Sequence, residues 1–212
     1  MKNYLDSQKW RYATKKYDAT KKVSAEDLAL LKEAVQLSVS SVGLQPYKVF
    51  IVESQEMKEK LAAGASGNNA TLFKESSHIF IFANEVNVGN EQVDKYIENV
   101  SEVRGIPVEA VAGFGDYIKG FIGTLTEEQK NTWTAKQTYI ALANLIHAAP
   151  LLKIDATPME GFDPATINEI LGLSAQGLNA SLVATIGYRH EEDANQHFIK
   201  VRKPENELFV TI

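Results

Sequence analysis

The chain has 212 residues, no cysteine and a formal net charge of −5 at pH 7. Its length suits one domain with a sizeable core. Without thiols there can be no disulfide, iron–sulfur cluster, thiolate zinc site or cysteine nucleophile, and the acidic balance argues against nucleic acid or an anionic membrane as partner.

No apolar run approaches membrane-spanning length, and the first residues, Met1-Lys2-Asn3-Tyr4-Leu5-Asp6, hold no apolar signal core. A soluble cytoplasmic protein is expected. No repeat, low-complexity tract or linker divides the chain, so one domain over residues 1–212 is expected.

A first short helix is predicted to end near Lys9-Trp10. Arg11 to Tyr17 follows, polar and cationic, without helical period. Ser24 with Glu26 and Asp27 reads as an N-cap and an acidic first turn. Leu28, Leu31, Ala34 and Val35 then give a core-facing stripe. Ser38 to Pro46 is a polar turn rich in helix breakers. Tyr47–Val52 reads as a strand, and Ser54 caps a helix carrying Met57 and Leu61. Gly64 to Asn69 is loop. His78–Ala83 is too short and too apolar for anything but a buried strand. Residues 90–124 are weakly helical and interrupted by Gly105, Pro107, Gly113, Gly115, Gly120 and Gly123.

Thr126-Glu127-Glu128-Gln129 is a capping box. The long helix behind it is apolar on more than one face, which suits the middle of a core or a dimer interface. Pro150 marks its end. Asp155 to Asp163 reads as a turn holding Pro158, Glu160 and Gly161, with Asp163-Pro164 as N-cap and first position of the next helix. Ser181–Gly187 is a strand. Leu208–Ile212 has a strand pattern but no hairpin partner nearby, so it is expected to pair far away or on another subunit. The mixture argues α+β.

Standard catalytic motifs are absent. There is no Walker loop and no His-Glu-x-x-His, and Gly113-Phe114-Gly115 does not continue into a dinucleotide fingerprint. The four histidines are scattered. His190 and His197 lie in a charged loop with Glu191, Glu192 and Asp193, read as solvated rather than metal-binding. His78 reads as a hydrogen-bonded core residue. Two separated cationic pairs remain, Arg11 with Lys15 and Lys200 with Arg202. From spacing alone they read as surface charge, with the alternative a phosphate clamp in which Arg supplies bidentate geometry and Lys a point charge.

The order Arg11-Tyr12-Ala13-Thr14-Lys15, Ser40-Ser41-Val42-Gly43-Leu44-Gln45-Pro46-Tyr47, Ala135-Lys136-Gln137, Pro158-Met159-Glu160-Gly161-Phe162, Lys200-Val201-Arg202 resembles the nitroreductase family nearly end to end. These are FMN-dependent NAD(P)H oxidoreductases. The resemblance implies an α+β fold with a central mixed sheet flanked by helices. It also implies an intertwined homodimer in which the C-terminal strand joins the partner's sheet, with the helix from Thr126 at the interface.

The resemblance further implies roles. Arg11, Lys200 and Arg202 match phosphate and ribityl contacts, with Tyr12 and Ala13 beside them. Lys15 matches a cation at the flavin N1/O2 edge, where reduction places negative charge. Asn69 matches an amide at the pyrimidine edge. Ser40, Ser41 and Gly43 would reach the other subunit's flavin, and Gln45 sits in the same motif. Pro158 and Met159 would cover the flavin face away from substrate. The Glu160 backbone N–H would bond N5, with Gly161 beside it. Phe114, Tyr117 and Phe121 are candidates to stack on substrate, with core packing as the alternative. Two departures stand out: Ala13 replaces a common Ser, and Gly43 a common Asn. NADH or NADPH would be the donor and a nitroaromatic or quinone the acceptor, in ping-pong order. The same fold also admits a dehalogenase, a flavin-breakdown enzyme or a non-catalytic flavin-binding module.

Overall fold

A computed structural model describes residues 1–212. The first helix, α1, spans Lys2–Trp10, and α2 spans Ala25–Gln36. The Ser24 hydroxyl accepts the Asp27 N–H at 3.0 Å, closing the expected cap. Strand β1 is Tyr47–Val52, followed by α3 (Gln55–Leu61), α4 (Asn69–Glu75) and β2 (His78–Glu85). Two helices, α5 (Asn90–Arg104) and α6 (Glu109–Gly123), precede the long α7 (Glu127–Ala148). The chain ends with β3 (Asp155–Met159), α8 (Pro164–Leu171), β4 (Leu178–Gly187) and the single turn α9 (Glu205–Leu208).

The strands form one sheet in the order β1-β2-β4-β3, antiparallel at every pairing. The expected mixed character is therefore absent within the chain. β2 lies in the middle and is buried on both faces. Ile79, Ile81 and Ala83 turn to a core shared with Tyr17, Leu61, Leu72, Phe73 and Ile167. Phe80 and Phe82 turn to the opposite core, with Leu31, Val35, Leu142 and Leu145 of α2 and α7. Strand alternation assigns each residue its face. His78 is buried and its Nδ1 lies 2.9 Å from the Ser77 hydroxyl, as a core histidine should be. Burial holds its pKa below the ordinary value.

Four expectations change. Residues 90–124 are two regular helices, broken only at Gly105 (φ 62) and Pro107. Gly113, Gly120 and Gly123 stand over open space, while Gly115 lets α6 approach α5: a Cβ there would lie 3.0 Å from Ile97 Cγ1. Asp155–Met159 is an edge strand rather than a turn, and Pro158 sits opposite Ala184. An edge accepts Pro because the missing N–H takes nothing from the ladder. Helix α4 begins at Asn69, where only loop was expected. Within the lone chain Leu208–Ile212 forms no strand: Leu208 closes α9, the Phe209 N–H donates to Glu205 O at 2.9 Å, and residues 210–212 make no backbone hydrogen bond.

The Phe80 ring is fully buried and stacks on Phe82 at 6.5 Å. Phe80→Ala is expected to cost about 3–5 kcal/mol, read as a lower urea midpoint at fixed protein concentration. A loss under about 1 kcal/mol would show that this core collapses to fill the gap.

Candidate functional site

Residues Arg11 to Tyr17 belong to no helix, and only Tyr17 makes a bridge, to Arg189. Side chains from the far end of the sheet hold this segment instead. Asp193 is buried and accepts from the Tyr12 hydroxyl (2.9 Å) and from the N–H groups of Lys15 (2.7 Å), Lys16 (3.2 Å) and Asn195 (3.0 Å). Burial pushes its carboxyl up, but these hydrogen bonds outweigh it and hold the group below its usual range. Arg189 forks onto buried Asp155, with Nη2 2.7 Å from Oδ1. The Arg189 guanidinium lies 4.0 Å from the Trp10 ring centroid and 4.5 Å from that of Tyr12.

The segment so held forms one wall of a cleft of about 380 Å³. Arg11, Tyr12, Ala13 and Lys15 line it from one side, Lys200 and Arg202 from the other. The two cationic pairs are thus brought together. The Lys200 ammonium donates to the Arg11 carbonyl. None of Arg11, Lys15, Lys200 or Arg202 is within ion-pair distance of a carboxylate. The Arg11 Nε is buried and without a hydrogen-bond partner. Burial, then Arg202, lowers the Arg11 pKa, with Asp155 opposing. Burial, then Arg11 and Arg202, likewise lowers that of Lys200. With no carboxylate among them, these cations repel one another across the cleft.

Beside this cleft, β3 delivers the turn at Glu160. Gly161 O accepts the Ser66 N–H and the Asn69 side-chain amide, both at 2.9 Å. The Asn68 amide donates to Lys15 O at 3.3 Å, so the N-terminus of α4 joins the two segments. A Cβ at Gly161 would lie 2.8 Å from Asn69 Nδ2, so a side chain there would displace the Asn69 amide. The backbone N–H groups of Glu160 and Gly161 donate to nothing in the chain. The Glu160 carboxylate turns away to accept the Tyr139 hydroxyl at 2.7 Å. Pro158, Met159 and Glu160 line an apolar cleft of about 440 Å³ with Tyr139, Leu142, Ala143, Ile146 and Leu182.

Ser40, Ser41, Gly43 and Gln45 lie elsewhere. Gly43 and Gln45 border a different cleft, with Glu85, Gln92, Lys95, Tyr96 and Asn99. The Gln45 side chain donates to Gln36 O and Ser38 O, closing the end of α2. Within one chain this turn does not meet the Arg11 cleft. Phe114 and Tyr117 are exposed and stacked on each other (6.4 Å). Phe121 instead packs edge-on to Trp133 at 5.4 Å, which is the core-packing alternative. No group of His, Cys, Asp and Glu side chains could hold a metal. Nor is any helix long and apolar enough to cross a membrane.

A family model described as the nitroreductase family matches residues 9–188. The chain belongs to the nitroreductase family. It is 35% identical over 198 residues to the major NAD(P)H-flavin oxidoreductase of Aliivibrio fischeri, covering 91% of each chain. It is also 35% identical over 210 residues to a Staphylococcus epidermidis protein named as an NAD(P)H nitroreductase, covering 96% of this chain and 94% of that one. Among solved structures, a nitroreductase family protein from Streptococcus pneumoniae aligns with a TM-score of 0.85 at 23% identity, over 99% of this chain and 100% of that one. A protein from Exiguobacterium sibiricum, solved in complex with FMN, aligns at 0.84 and 20% identity, over 99% and 97%. The likeness confirms the nitroreductase fold.

Asp155, Asn68, Arg189 and Asp193 were not singled out from sequence, and each positions the basic cleft or the Glu160 turn. The charged residues around Asp193 suggest a solvated loop, yet Asp193 is 3% exposed. One available signal is its place before Ala194-Asn195, an N-cap pattern that the structure uses. Because the Asp193 pKa is lower in the folded state than in the unfolded one, its stabilisation is complete above the unfolded value. It is lost as the pH falls through the folded value, in acid below about pH 4. Asp193→Asn is therefore expected to lower Tm at neutral pH and to flatten the acid-side fall, as read by thermal melts from neutral to acid pH. Parallel acid limbs in the two proteins would count against this role.

Proposed function

We propose that this nitroreductase family chain is an FMN-dependent oxidoreductase that takes reducing equivalents from NADH or NADPH and delivers them to flat, electron-poor acceptors, nitroaromatics or quinones. The observation that carries the reading is the uncompensated cation cluster at Arg11, Lys200 and Arg202, with the Arg11 Nε buried and unbonded. A phosphate monoester fits it, since a guanidinium offers paired donors and the dianion removes the repulsion among the cations. FMN supplies the redox chemistry when bound, moving a hydride through its isoalloxazine ring.

The chain's own part is orientation and electrostatics. Arg11, Lys200 and Arg202, with Tyr12 and Ala13 in the same wall, hold the phosphate end. Lys15 lines the same cleft and offers a cation to the ring edge that gains negative charge on reduction. Asn69, fixed by Gly161 O, stands beside it. The free N–H of Glu160 is the donor offered to N5, with that of Gly161 next to it. Pro158 and Met159 give an apolar wall that excludes water from one ring face. The exposed pair Phe114 and Tyr117 suits stacking of the acceptor.

The reading includes a homodimer. Phe198, Ile199, Val201, Phe209 and Val210 are between 67% and 92% exposed, an apolar tail that a lone chain leaves in water. Strand β1 is a sheet edge with an apolar groove at Val35, Val49, Ile51 and Phe80. A partner would also bring Ser40, Ser41, Gly43 and Gln45 to the cofactor that one chain keeps apart from them.

The decisive measurement is FMN titration of the apoprotein followed by anaerobic reduction with either nicotinamide. Arg202→Ala is expected to weaken FMN binding about tenfold or more, as loss of a charged hydrogen bond would. Unchanged affinity would remove Arg202 from the phosphate site. Glu160→Gln is expected to keep most of the hydride transfer, since the backbone N–H survives. Glu160→Pro removes that N–H and is expected to abolish it. Loss of turnover in the Gln variant with FMN still bound would show that the carboxylate itself takes part.

A further inference from the structure

The turn from Ser40 to Gln45 and the pair α5–α6 share a small core of their own. Leu44 packs there with Val88, Val93, Ile97, Ile118 and Ile122, apart from the two cores that cover the sheet. The turn is strained. Val42 (φ 53), Gly43 (φ 77) and Gln45 (φ 46) all lie in the left-handed region, where a β-branched residue is an outlier. Such backbone persists only where its surroundings hold it. Here Gln137 Oε1 accepts the Ser41 N–H at 2.8 Å, and Tyr96 of α5 closes over Gly43. A Cβ at Gly43 would lie 2.5 Å from Tyr96 Oη and 3.3 Å from Cζ. The phenol therefore fills the space of any side chain at position 43.

From that contact a row of rings runs outward. Tyr96 meets Phe114 edge-on at 6.5 Å, and Phe114 stacks on Tyr117 at 6.4 Å with 12° between planes. The row begins against the strained turn and ends in solvent, where Tyr117 is 65% exposed. Lys119 of α6 and Asp94 of α5 form an ion pair at 2.5 Å, so both helices contribute to this face.

We propose that Tyr96 is a specificity-determining residue, wedged between the Gly43 backbone and the Phe114 ring so that it sets where the Phe114–Tyr117 pair stands to receive a flat acceptor. This rests on the flavin-dependent reading above. A group at position 43 displaces the Tyr96 tip. The displacement passes through the edge-on contact to Phe114 and misaligns the stacking pair. An acceptor without an aromatic ring does not use that pair.

The test uses the full-length, FMN-loaded enzyme with one nicotinamide donor and two oxidants, 1,4-naphthoquinone and ferricyanide. The readout is the ratio of their kcat/KM values. Gly43→Ala and Tyr117→Ala are each expected to lower the quinone-to-ferricyanide ratio about fivefold, the scale of a lost aromatic contact. The strain of an alanine at φ 77 is common to Gly43→Ala and to the double variant Gly43→Ala/Tyr96→Phe, so it cancels between them. Removing the hydroxyl leaves Cζ as the nearest atom, at 3.3 Å. The double variant is therefore expected to regain most of the ratio. Equal ratios in the single and double variants, or a ratio unmoved by Gly43→Ala, overturn the wedge. A wild-type protein that binds FMN but reduces neither oxidant overturns the functional reading, and the wedge with it; that result is distinct from a changed ratio.

Discussion

The Asp193 carboxylate does for the Arg11–Lys16 segment what a ladder of backbone hydrogen bonds does for a strand. That segment has almost no regular partners, and unpaired backbone polar groups at a protein's surface stay mobile unless something fixes them. Asp193 takes the N–H groups of Lys15 and Lys16 and the hydroxyl of Tyr12 at once. Asp155 and Arg189 brace the same segment through Trp10 and Tyr12. Two buried acids thus fix the scaffold of a basic site without neutralising it. The Arg11 guanidinium keeps an unbonded Nε, and Lys200 spends its hydrogen bond on a carbonyl rather than a carboxylate.

That separation of roles explains the electrostatics of the cleft. A carboxylate within reach of Arg11 or Arg202 would cancel the charge available to a ligand. Placed instead on neutral donors and on Arg189, the acids leave the cations facing one another. The resulting repulsion is a cost in the free protein, and an anion in the cleft relieves it. The Glu160 turn follows a similar logic with dipoles. Strand β3 ends at Met159, so the next N–H groups leave the ladder and remain free, while the Glu160 carboxylate is drawn to Tyr139.

Much of the architecture was legible because local chemistry and packing agree there. Ser24, Ser54, Thr126 and Asp163 each cap the helix that their neighbours announce. His78–Ala83 could hardly be other than a buried strand. The misreadings have local causes too. Pro158 disguised an edge strand as a turn, because the proline signal does not say whether a ladder partner lies on that side. The glycines of residues 113–123 suggested breaks, but only the packing of Ile97 shows why Gly115 belongs inside a helix. Leu208–Ile212 carries an apolar strand pattern with no partner in one chain, and that pattern alone does not select a conformation.

By itself, the sequence determined three of the four strands and most of the helices, which of their faces are apolar, and which cations and turns recur in the order typical of the nitroreductase family. Periodicity and capping are local properties, and the motif order is written directly in the chain. Only the tertiary structure decided that Arg11 and Arg202 share a cleft, that Asp193 is a buried anchor rather than a solvated acid, and that Tyr96 occupies the space over Gly43. Those facts depend on contacts between residues far apart in the chain, and no local pattern encodes such a distance. The Asp155 to Asp163 stretch joins both kinds: its motif pointed to the Glu160 backbone, and the end of the edge strand leaves the Glu160 and Gly161 N–H groups without an acceptor in the chain.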